Sequence, residues 1–314
     1  MAELNKAKNK VELLQLKQRQ SLPLEAKIIL SQQRIRTFHE KLRGQTYISF
    51  SGGKDSTVLL HLVRELYPDT PAVFVNTGLE YPEIVEFVKT IPNVTWLRPK
   101  MNFKEVLEKF GYPIVSKKVS RMIHDLQNPT EKNINTRRLY WEGIKKDGSL
   151  TKYFKLPKKW RKLVTSGFKI SDKCCYYIKK QPFKMYQKET KRCPFNGTMA
   201  SDSAQRKSSY LQTGCNSFVK GAQHSQPIAF WLEQDIWNYI KKFNIPYSKI
   251  YDMGEKRTGC MFCMFGVHLE KNGNRFQRMK KSHPKQWDYC INKLGCGKVL
   301  DYIDVSYETD ETLF

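Results

Sequence analysis

Between residues 46 and 97, short apolar runs typical of strands alternate with stretches that have apolar residues at helical spacing. Three short runs (TYISF, PAVFVNTG and VTWLRP) are rich in β-branched and aromatic residues, which predicts strands. The stretches between them, STVLLHLVRELY and YPEIVEFVKTI, carry apolar residues at helical spacing. Strand, helix, strand, helix, strand at this spacing predicts a parallel sheet with right-handed crossovers. The fold class is therefore α/β, with a doubly wound, mostly parallel, Rossmann-like sheet.

The pattern differs outside this region. Residues 24–43 and roughly 232–243 predict amphipathic helices, whereas the polar residues 1–22 predict a frayed helix or an arm. After about residue 115 the periodicity weakens and the chain becomes basic. The expected organisation is an N-terminal helical segment (1–45), a main domain (46–265) with a basic helical and loop insertion (117–172), and a basic, cysteine-containing C-terminal extension (266–314).

The length of 314 residues fits one main domain with appended elements. There is no run of 18 apolar residues, so no transmembrane helix and no membrane partner are expected. The N-terminus has no apolar h-region and no small-residue cleavage site. These features predict a cytoplasmic protein.

The chain is strongly basic, with 55 Lys and Arg against 30 Asp and Glu and a formal charge of +25. Residues 152–192 carry 14 basic and 2 acidic side chains, interleaved with aromatic residues. Cations bind a phosphate backbone and aromatic rings stack on bases, so this pattern favours a nucleic-acid partner. The alternative is a lysine-rich surface that only keeps the protein soluble.

The segment SFSGGKDSTVLLHLV, residues 49–63, places two glycines, a lysine and two serines between a strand and a helix. Gly52 and Gly53 permit a sharp turn and a close approach of backbone N–H groups to an anion. The helix that follows points its free N–H groups at the same place. Lys54 adds a positive charge, and the hydroxyls of Ser51 and Ser56 add donors. An ordinary turn capped by Asp55 is the simpler alternative.

The hexapeptide SGGKDS matches neither G-x-x-x-x-G-K-[ST] nor G-x-G-x-x-G. It resembles the PP-loop of the adenine nucleotide α-hydrolase superfamily. The segment VFVNTGLEYPEIVEFV is similar to the second strand and turn of the phosphoadenosine phosphosulfate (PAPS) reductases, with Asn76 where an acidic residue is usual. The resemblance implies an adenine nucleotide, with Mg²⁺ as an optional companion, and contacts from Asn76, Thr77 and Gly78.

Eight cysteines in a chain of this kind favour metal binding over disulfides. Cys260 and Cys263 have the C-x-x-C spacing that brings two thiolates to one metal, and Cys174 and Cys175 are adjacent. The pattern Cys-Cys, Lys179, Pro182 and Gly259-Cys-x-x-Cys resembles the 4Fe–4S subgroup of the adenosine phosphosulfate (APS) and PAPS reductases. The resemblance implies a 4Fe–4S cluster on these four cysteines, with zinc as the alternative and four buried thiols as a third.

The segment GTMASDSAQR resembles the substrate clamp of the reductases, with Met199 where the family has an arginine. Further matches are Trp231, Asp235, Trp237, Tyr251, Gly254 and Arg257. The predicted catalytic residues are Lys54, Asp55, Lys179, Arg206 and Cys296. The predicted nucleotide-binding residues are Ser51, Gly52, Gly53, Lys54, Asp55, Ser56, Asn76, Thr77, Gly78, Asp202, Ser203, Arg206 and Arg257.

The resemblance breaks at the C-terminus, which reads SYETDETLF and has no Glu-Cys-Gly-(Ile/Leu)-His tail. Cys296 is the nearest substitute for the catalytic cysteine of that tail; otherwise it is an ordinary thiol or forms a stabilising cluster with Cys290. The segment around 266–287 predicts either a basic lid or a solvated helix face. Its cations are His268, Arg275, Arg278, Lys280, Lys281 and His283.

Three functions remain open at this point. The first is reduction of a sulfonucleotide, PAPS or APS, with a thioredoxin-like electron donor. The second is an ATP pyrophosphatase that adenylates a nucleic acid for sulfur modification, with a cysteine desulfurase as sulfur donor. The third is a non-catalytic nucleic-acid-binding module with structural metal.

Overall fold

The structure is a computed structural model that describes residues 11–309. The described chain divides into two compact units, each built from separate stretches of sequence. Unit 1 contains the residues up to Asn76, Tyr81–Arg98 and Phe183–Thr258. Unit 2 contains Thr77–Glu80, Pro99–Pro182 and the residues from Gly259 onward. The domain limits expected from the sequence stay a prediction.

Unit 1 holds one six-stranded sheet and the helices around it. Its strands are β1 (Thr46–Ser49), β2 (Ala72–Val75), β3 (Val94–Leu97), β5 (Cys193–Asn196), β6 (Asn216–Ser217) and β7 (His224–Ser225). Its helices are α1 (Leu13–Gln20), α2 (Leu24–Lys41), α3 (Lys54–Leu66), α4 (Pro82–Lys89), α9 (Ala204–Thr213) and α10 (Glu233–Lys242), together with most of α8 (Gln181–Thr190).

The strand order is β3-β2-β1-β5-β7-β6, and every pair is parallel except β6 with β7. β1 is central, with Ile48 opposite Ala72 on one side and Phe195 on the other. β2 is buried along its whole length. Strands that are covered on both faces are apolar throughout, as the four residues AVFV of β2 are. The mostly parallel α/β sheet predicted from the sequence is confirmed.

Helix α2 packs on unit 1 through one face, on which Lys27, Ser31, Ile35 and Phe38 are buried. These positions recur every three or four residues, as an amphipathic helix requires. The Ser31 hydroxyl donates to Pro227 O (3.0 Å) and accepts from Trp231 Nε1 (3.0 Å). Trp231 is fully buried, so the polar end of its large ring is satisfied inside the core.

Unit 2 is mainly helical. Its elements are α5 (Phe103–Phe110), β4 (Ile114–Val115), α6 (Lys117–Gln127), α7 (Ile134–Glu142), β8 (Met264–Phe265), α11 (Arg275–Ser282), α12 (Pro284–Asp288) and α13 (Cys296–Tyr302). β4 and β8 pair in parallel. The Ser120 hydroxyl of α6 donates to Ile114 O and accepts from Ile114 N, which fixes α6 against β4.

The elements predicted over residues 24–43, 46–97 and 232–243 are confirmed to within one or two residues at most ends. The basic region 117–172 contains α6, α7 and a 3₁₀ helix, Lys158–Thr165. Among the described residues, no helix is both long and apolar enough to cross a membrane. Residues 1–10 of the predicted arm and the last five residues of the C-terminal sequence lie outside the described residues.

Candidate nucleotide and metal sites

The loop after β1 closes on itself through its own hydroxyls. Ser51 N donates to Ser56 Oγ (3.2 Å), the two hydroxyls are 3.0 Å apart, and Ser56 Oγ donates to Gly53 O (2.9 Å). Helix α3 begins at Lys54 with Gly53 as its N-cap. Because the loop lies at the carboxyl end of a central parallel strand and opens a helix, it has the geometry of a phosphate site.

Two glycines of this loop have no room for a side chain. Gly52 has a left-handed backbone (φ 72°), and a Cβ there would lie 2.7 Å from Val88 Cγ2 and 2.8 Å from Ile84 Cγ2. A Cβ on Gly53 would lie 2.7 Å from Thr258 Oγ1. Gly197, after β5, approaches Asp55 O so closely that its Cβ would be 3.1 Å away. The loop therefore needs glycine for both its turn and its packing.

Lys54 and Asp55 form the charged part of the loop. The Lys54 ammonium is buried and lies 3.2 Å from Glu233 Oε1 and 3.7 Å from Asp55 Oδ1. Burial opposes its charge, yet Asp55, Tyr251 and Glu233 together raise the pKa of Lys54. Burial raises the pKa of Asp55, and its Oδ1 has no hydrogen-bond partner. The loop therefore holds a charged ammonium beside a buried carboxyl oxygen that has no hydrogen-bond partner.

The segment that resembles the substrate clamp lies near this loop. Burial is the main cause of the raised pKa of Asp55, and Asp202 adds to the rise whereas Arg206 opposes it. Asp202 pairs with Arg206 and accepts from Met199 N (3.2 Å). Ser203 is the N-cap of α9 and accepts from Arg206 N (3.2 Å). Met199 is only 2% exposed, so its side chain belongs to the core.

Tyr251 is a site residue that the sequence analysis matched to the family but did not assign. Its hydroxyl accepts from Lys54 N (2.8 Å) at the start of α3. Trp237 packs edge-on against the Tyr251 ring, with ring centroids 5.5 Å apart. Glu233, at the start of α10, was also missed, since nothing in the local sequence connects it to Lys54. Arg257 is exposed.

The turn that follows β2 is held by a carboxylate that the sequence analysis missed. Glu80 accepts from Thr77 N (2.9 Å) and from Thr77 Oγ1 (2.8 Å). Gly78 has a left-handed backbone (φ 74°) and open space where a Cβ would be, and Asn76 N donates to Leu97 O (2.9 Å). The pKa of Lys179 is raised mainly by Cys260, against burial, and Glu80 adds to the rise. An acidic residue three positions after Thr77 is the sequence signal that could have revealed it.

The four predicted metal ligands all lie in unit 2, on two segments. Cys174 and Cys175 begin a helix that passes through a π-helical turn, Tyr176–Lys180. Cys260 and Cys263 lie on the turn before β8, where Cys263 N donates to Cys260 O (3.1 Å). Met261 N on the same turn donates to Leu79 O (2.8 Å). π turns are rare and are frequently found at functional sites.

The thiols act on one another electrostatically. Burial raises the pKa of Cys260 to about 11, and the positive charge of Lys179 opposes that rise. Burial raises the pKa of Cys174 too, with further contributions from Cys175, Cys260 and Cys263. Arg275 lies near Cys263 and donates to its carbonyl (3.0 Å). Within residues 11–309, however, no three His, Cys, Asp or Glu side chains are grouped as ligands of a metal ion.

Cys296 lies at the start of α13 and is completely buried. Burial raises the pKa of the Cys290 thiol, and the neighbouring Cys296 thiol raises it further. This arrangement favours a stabilising pair over a nucleophile. In the basic segment, Arg275 binds Glu270 and Lys280 binds Glu308, so these two cations serve local ion pairs.

These features define a mostly parallel α/β protein with a glycine-rich loop at the carboxyl end of its central strand and a set of four mutually interacting cysteines. The chain matches the family profile of the phosphoadenosine phosphosulfate reductase domain over residues 45–122 and 121–265. It belongs to that family. The family match confirms the expected membership of the PAPS reductase family.

Similar proteins include both reductases and a protein without an assigned role. An uncharacterized protein of Methanocaldococcus jannaschii is 27% identical over 271 residues, covering 83% of this chain and 51% of the relative. The chain thus spans about half the length of that relative. An adenosine 5′-phosphosulfate reductase of Staphylococcus epidermidis is 21% identical over a match that covers 74% of this chain and 76% of the relative. Among solved structures, a PAPS reductase from Candida auris has 14% sequence identity and a TM-score of 0.44. The match covers 80% of this chain and 96% of the other.

Proposed function

We propose that this chain is the nucleotide-binding and cluster-binding part of an enzyme of sulfur metabolism. Its loop 51–56 binds the phosphates of an adenine nucleotide. A 4Fe–4S cluster is held by the four cysteines Cys174, Cys175, Cys260 and Cys263. The observation that carries the proposal is the loop itself. It combines a left-handed Gly52, a Gly53 N-cap and the buried Lys54 at the carboxyl end of the central strand.

Several residues of unit 1 each contact a different part of the nucleotide. The N–H groups of Asp55 and Ser56 in the first turn of α3 and the Lys54 ammonium bind phosphate oxygens. The hydroxyls of Ser51 and Ser56 shape the turn, and Lys54 N stays bound to Tyr251. Asp55 Oδ1 accepts from a nucleotide donor or binds an accompanying Mg²⁺. Arg206, held by Asp202, supplies a second cation on the same side as Asp55.

The cysteines fit a cluster by their chemistry. Four thiols on two short segments are the donor set of a 4Fe–4S centre, which supplies one-electron chemistry when bound. Lys179 and Arg275 favour the thiolate forms that a metal requires. The raised thiol pKa values of the metal-free chain mean that binding releases protons. Zinc on the same residues is the alternative.

The cluster is tested by anaerobic purification and iron analysis. We expect a brown protein with broad absorbance near about 400 nm, lost in Cys260→Ser and kept in the control Cys193→Ser. Cys193 lies in β5 of unit 1 and is not a predicted ligand. A colourless protein with one equivalent of zinc would contradict the cluster and support the alternative.

Nucleotide binding is tested by calorimetry with ATP, APS and PAPS. Lys54→Met is expected to weaken the tightest of these by about tenfold or more, the value of one charge-assisted hydrogen bond. The control is Lys89→Met, an exposed lysine at the end of α4. Equal affinities for the two variants would refute the assignment of the loop.

The reaction is decided by two assays in parallel. Sulfite released from APS or PAPS with a thioredoxin-like donor identifies a reductase. Pyrophosphate released from ATP, and stimulated by DNA or tRNA, identifies the pyrophosphatase, with the leaving pyrophosphate in the loop. Nucleotide binding with neither product would leave the chain a binding part of a larger enzyme.

A further inference from the structure

Unit 2 carries a cationic surface that the proposed nucleotide and cluster sites do not use. We call residues 132–162 the basic-aromatic surface. It contains eleven Lys and Arg against two acidic residues, Glu142 and Asp147. Most of these cations are exposed. Within residues 11–309, ion pairs engage two of the eleven, Arg138 with Glu142 and Lys162 with Asp304.

The surface has a defined backbone. Helix α7 ends at Gly143 in a left-handed conformation (φ 83°), and Thr151 N donates to Gly143 O (2.7 Å). Between them a turn closes through Lys145 N to Ser149 O (2.9 Å). Leu156 N then donates to Tyr140 O (2.7 Å), and the buried Leu156 anchors the segment in unit 2. The cations are therefore presented on an ordered scaffold.

Large aromatic rings stand exposed among these cations. Tyr153 is 71% exposed, Phe154 42% and Trp141 40%. The Lys118 ammonium lies 3.6 Å from the centroid of the Tyr153 ring, and the Arg161 guanidinium 4.3 Å from that of Trp141. Lys118 Nζ also donates to Tyr153 O (2.6 Å), which steadies that ring on its loop. A steadied ring costs less conformational entropy when it stacks on a ligand.

Exposed rings between cations match one kind of polymer. Lysine and arginine neutralise phosphates and release counterions, and aromatic rings stack on bases that are not already paired. A duplex hides its base faces and would leave the rings unused. We propose that the basic-aromatic surface binds single-stranded nucleic acid, DNA or RNA, with little sequence preference. The basic segment 152–192 predicted from the sequence shares residues 152–162 with this surface. Beyond residue 162, Leu163 and Ile170 are buried in unit 2.

The test is fluorescence anisotropy with labelled single strands of about 20 nucleotides. DNA and RNA strands are compared with a duplex of the same sequence and with phosphatidylserine vesicles. We expect single strands to bind most tightly, with log K falling by about 0.7 per phosphate contact for each unit of log salt. Tighter binding to duplex or to vesicles than to single strands would overturn the proposal.

Two matched variants locate the binding. Replacing Lys145, Lys146, Lys155 and Lys158 by Gln removes four exposed cations of the surface and should reduce both affinity and salt slope. The control replaces Lys89, Lys188, Lys220 and Lys241, exposed in unit 1, and lowers the net charge equally. Equal losses would show that binding reflects only the overall charge of the chain, against the proposal.

The stacking role is tested separately. Tyr153→Ala should weaken single-strand binding by on the order of tenfold, the value of one base stack, whereas Tyr153→Phe should retain it. Unchanged binding by Tyr153→Ala would contradict the role of the ring. ATP calorimetry on the same variants distinguishes this proposal from the proposed function, since either kind of binding can fail alone.

Discussion

The left-handed backbone of Gly52 allows a quantitative test of how the loop 51–56 is packed. In Gly52→Ala, the new Cβ meets Val88 Cγ2 at 2.7 Å and Ile84 Cγ2 at 2.8 Å, both on α4. A left-handed non-glycine residue costs about 1–2 kcal/mol, and overpacking costs about 1–3 kcal/mol more. We expect the free energy of unfolding to fall by about 2–5 kcal/mol.

The matched control is Gly221→Ala, also in unit 1. Gly221 has a similar backbone (φ 79°) but open space where its Cβ would lie. It should lose only the conformational part, about 1–2 kcal/mol. Urea unfolding followed by circular dichroism measures both variants in the same unit. Equal losses would refute the packing of the loop on α4. Restoring space with Val88→Ala should recover part of the loss in Gly52→Ala but none in Gly221→Ala.

Three further predictions concern unit 1. Lys27→Met removes the partner of the buried Asp235, 2.7 Å away, and should cost about 3–5 kcal/mol of unfolding free energy. Ser203→Ala removes the N-cap of α9 and should cost about 1 kcal/mol, measured without nucleotide. Burial lowers the pKa of His39, so the unfolded chain takes up its proton first as pH falls. Stability should therefore decline below about pH 6.5, less steeply in His39→Asn.

Each of these has its own control. Lys242→Met breaks an exposed pair with Glu25 and should cost far less than Lys27→Met; a similar cost would contradict the burial argument. Ser209→Ala, inside α9, should not destabilise as Ser203→Ala does. Identical pH slopes for wild type and His39→Asn would show that another group governs the acid limb.

Much of the fold could be predicted because its signals are local. The alternation of apolar runs and amphipathic stretches between residues 46 and 97 depends on neighbours a few positions apart, and the structure has a strand or helix at each one. β5 was missed, since its four residues, CPFN, have no strand pattern and pair with β1 across more than a hundred residues.

The candidate sites divide in the same way. Gly52, Gly53 and Lys54 could be predicted as site residues from the sequence because they belong to one short motif. Glu80, Glu233 and Tyr251 were not assigned, because each acts on a residue that is distant in sequence or joined only by a turn. For Cys296 the sequence left a nucleophile, an ordinary thiol and a cluster with Cys290 open, and burial beside Cys290 favours a structural role.

The sequence by itself determined the parallel α/β class, the loop that opens α3 and the two cysteine pairs. These rest on periodicity, on backbone freedom at glycine and on ligand spacing, which are properties of short stretches. Only the tertiary structure decided that Gly52 has no room for a Cβ, that Asp202 and Arg206 act on Asp55, and that most cations of residues 132–162 are exposed. The physical reason is that burial and electrostatics depend on which distant segments the fold brings together.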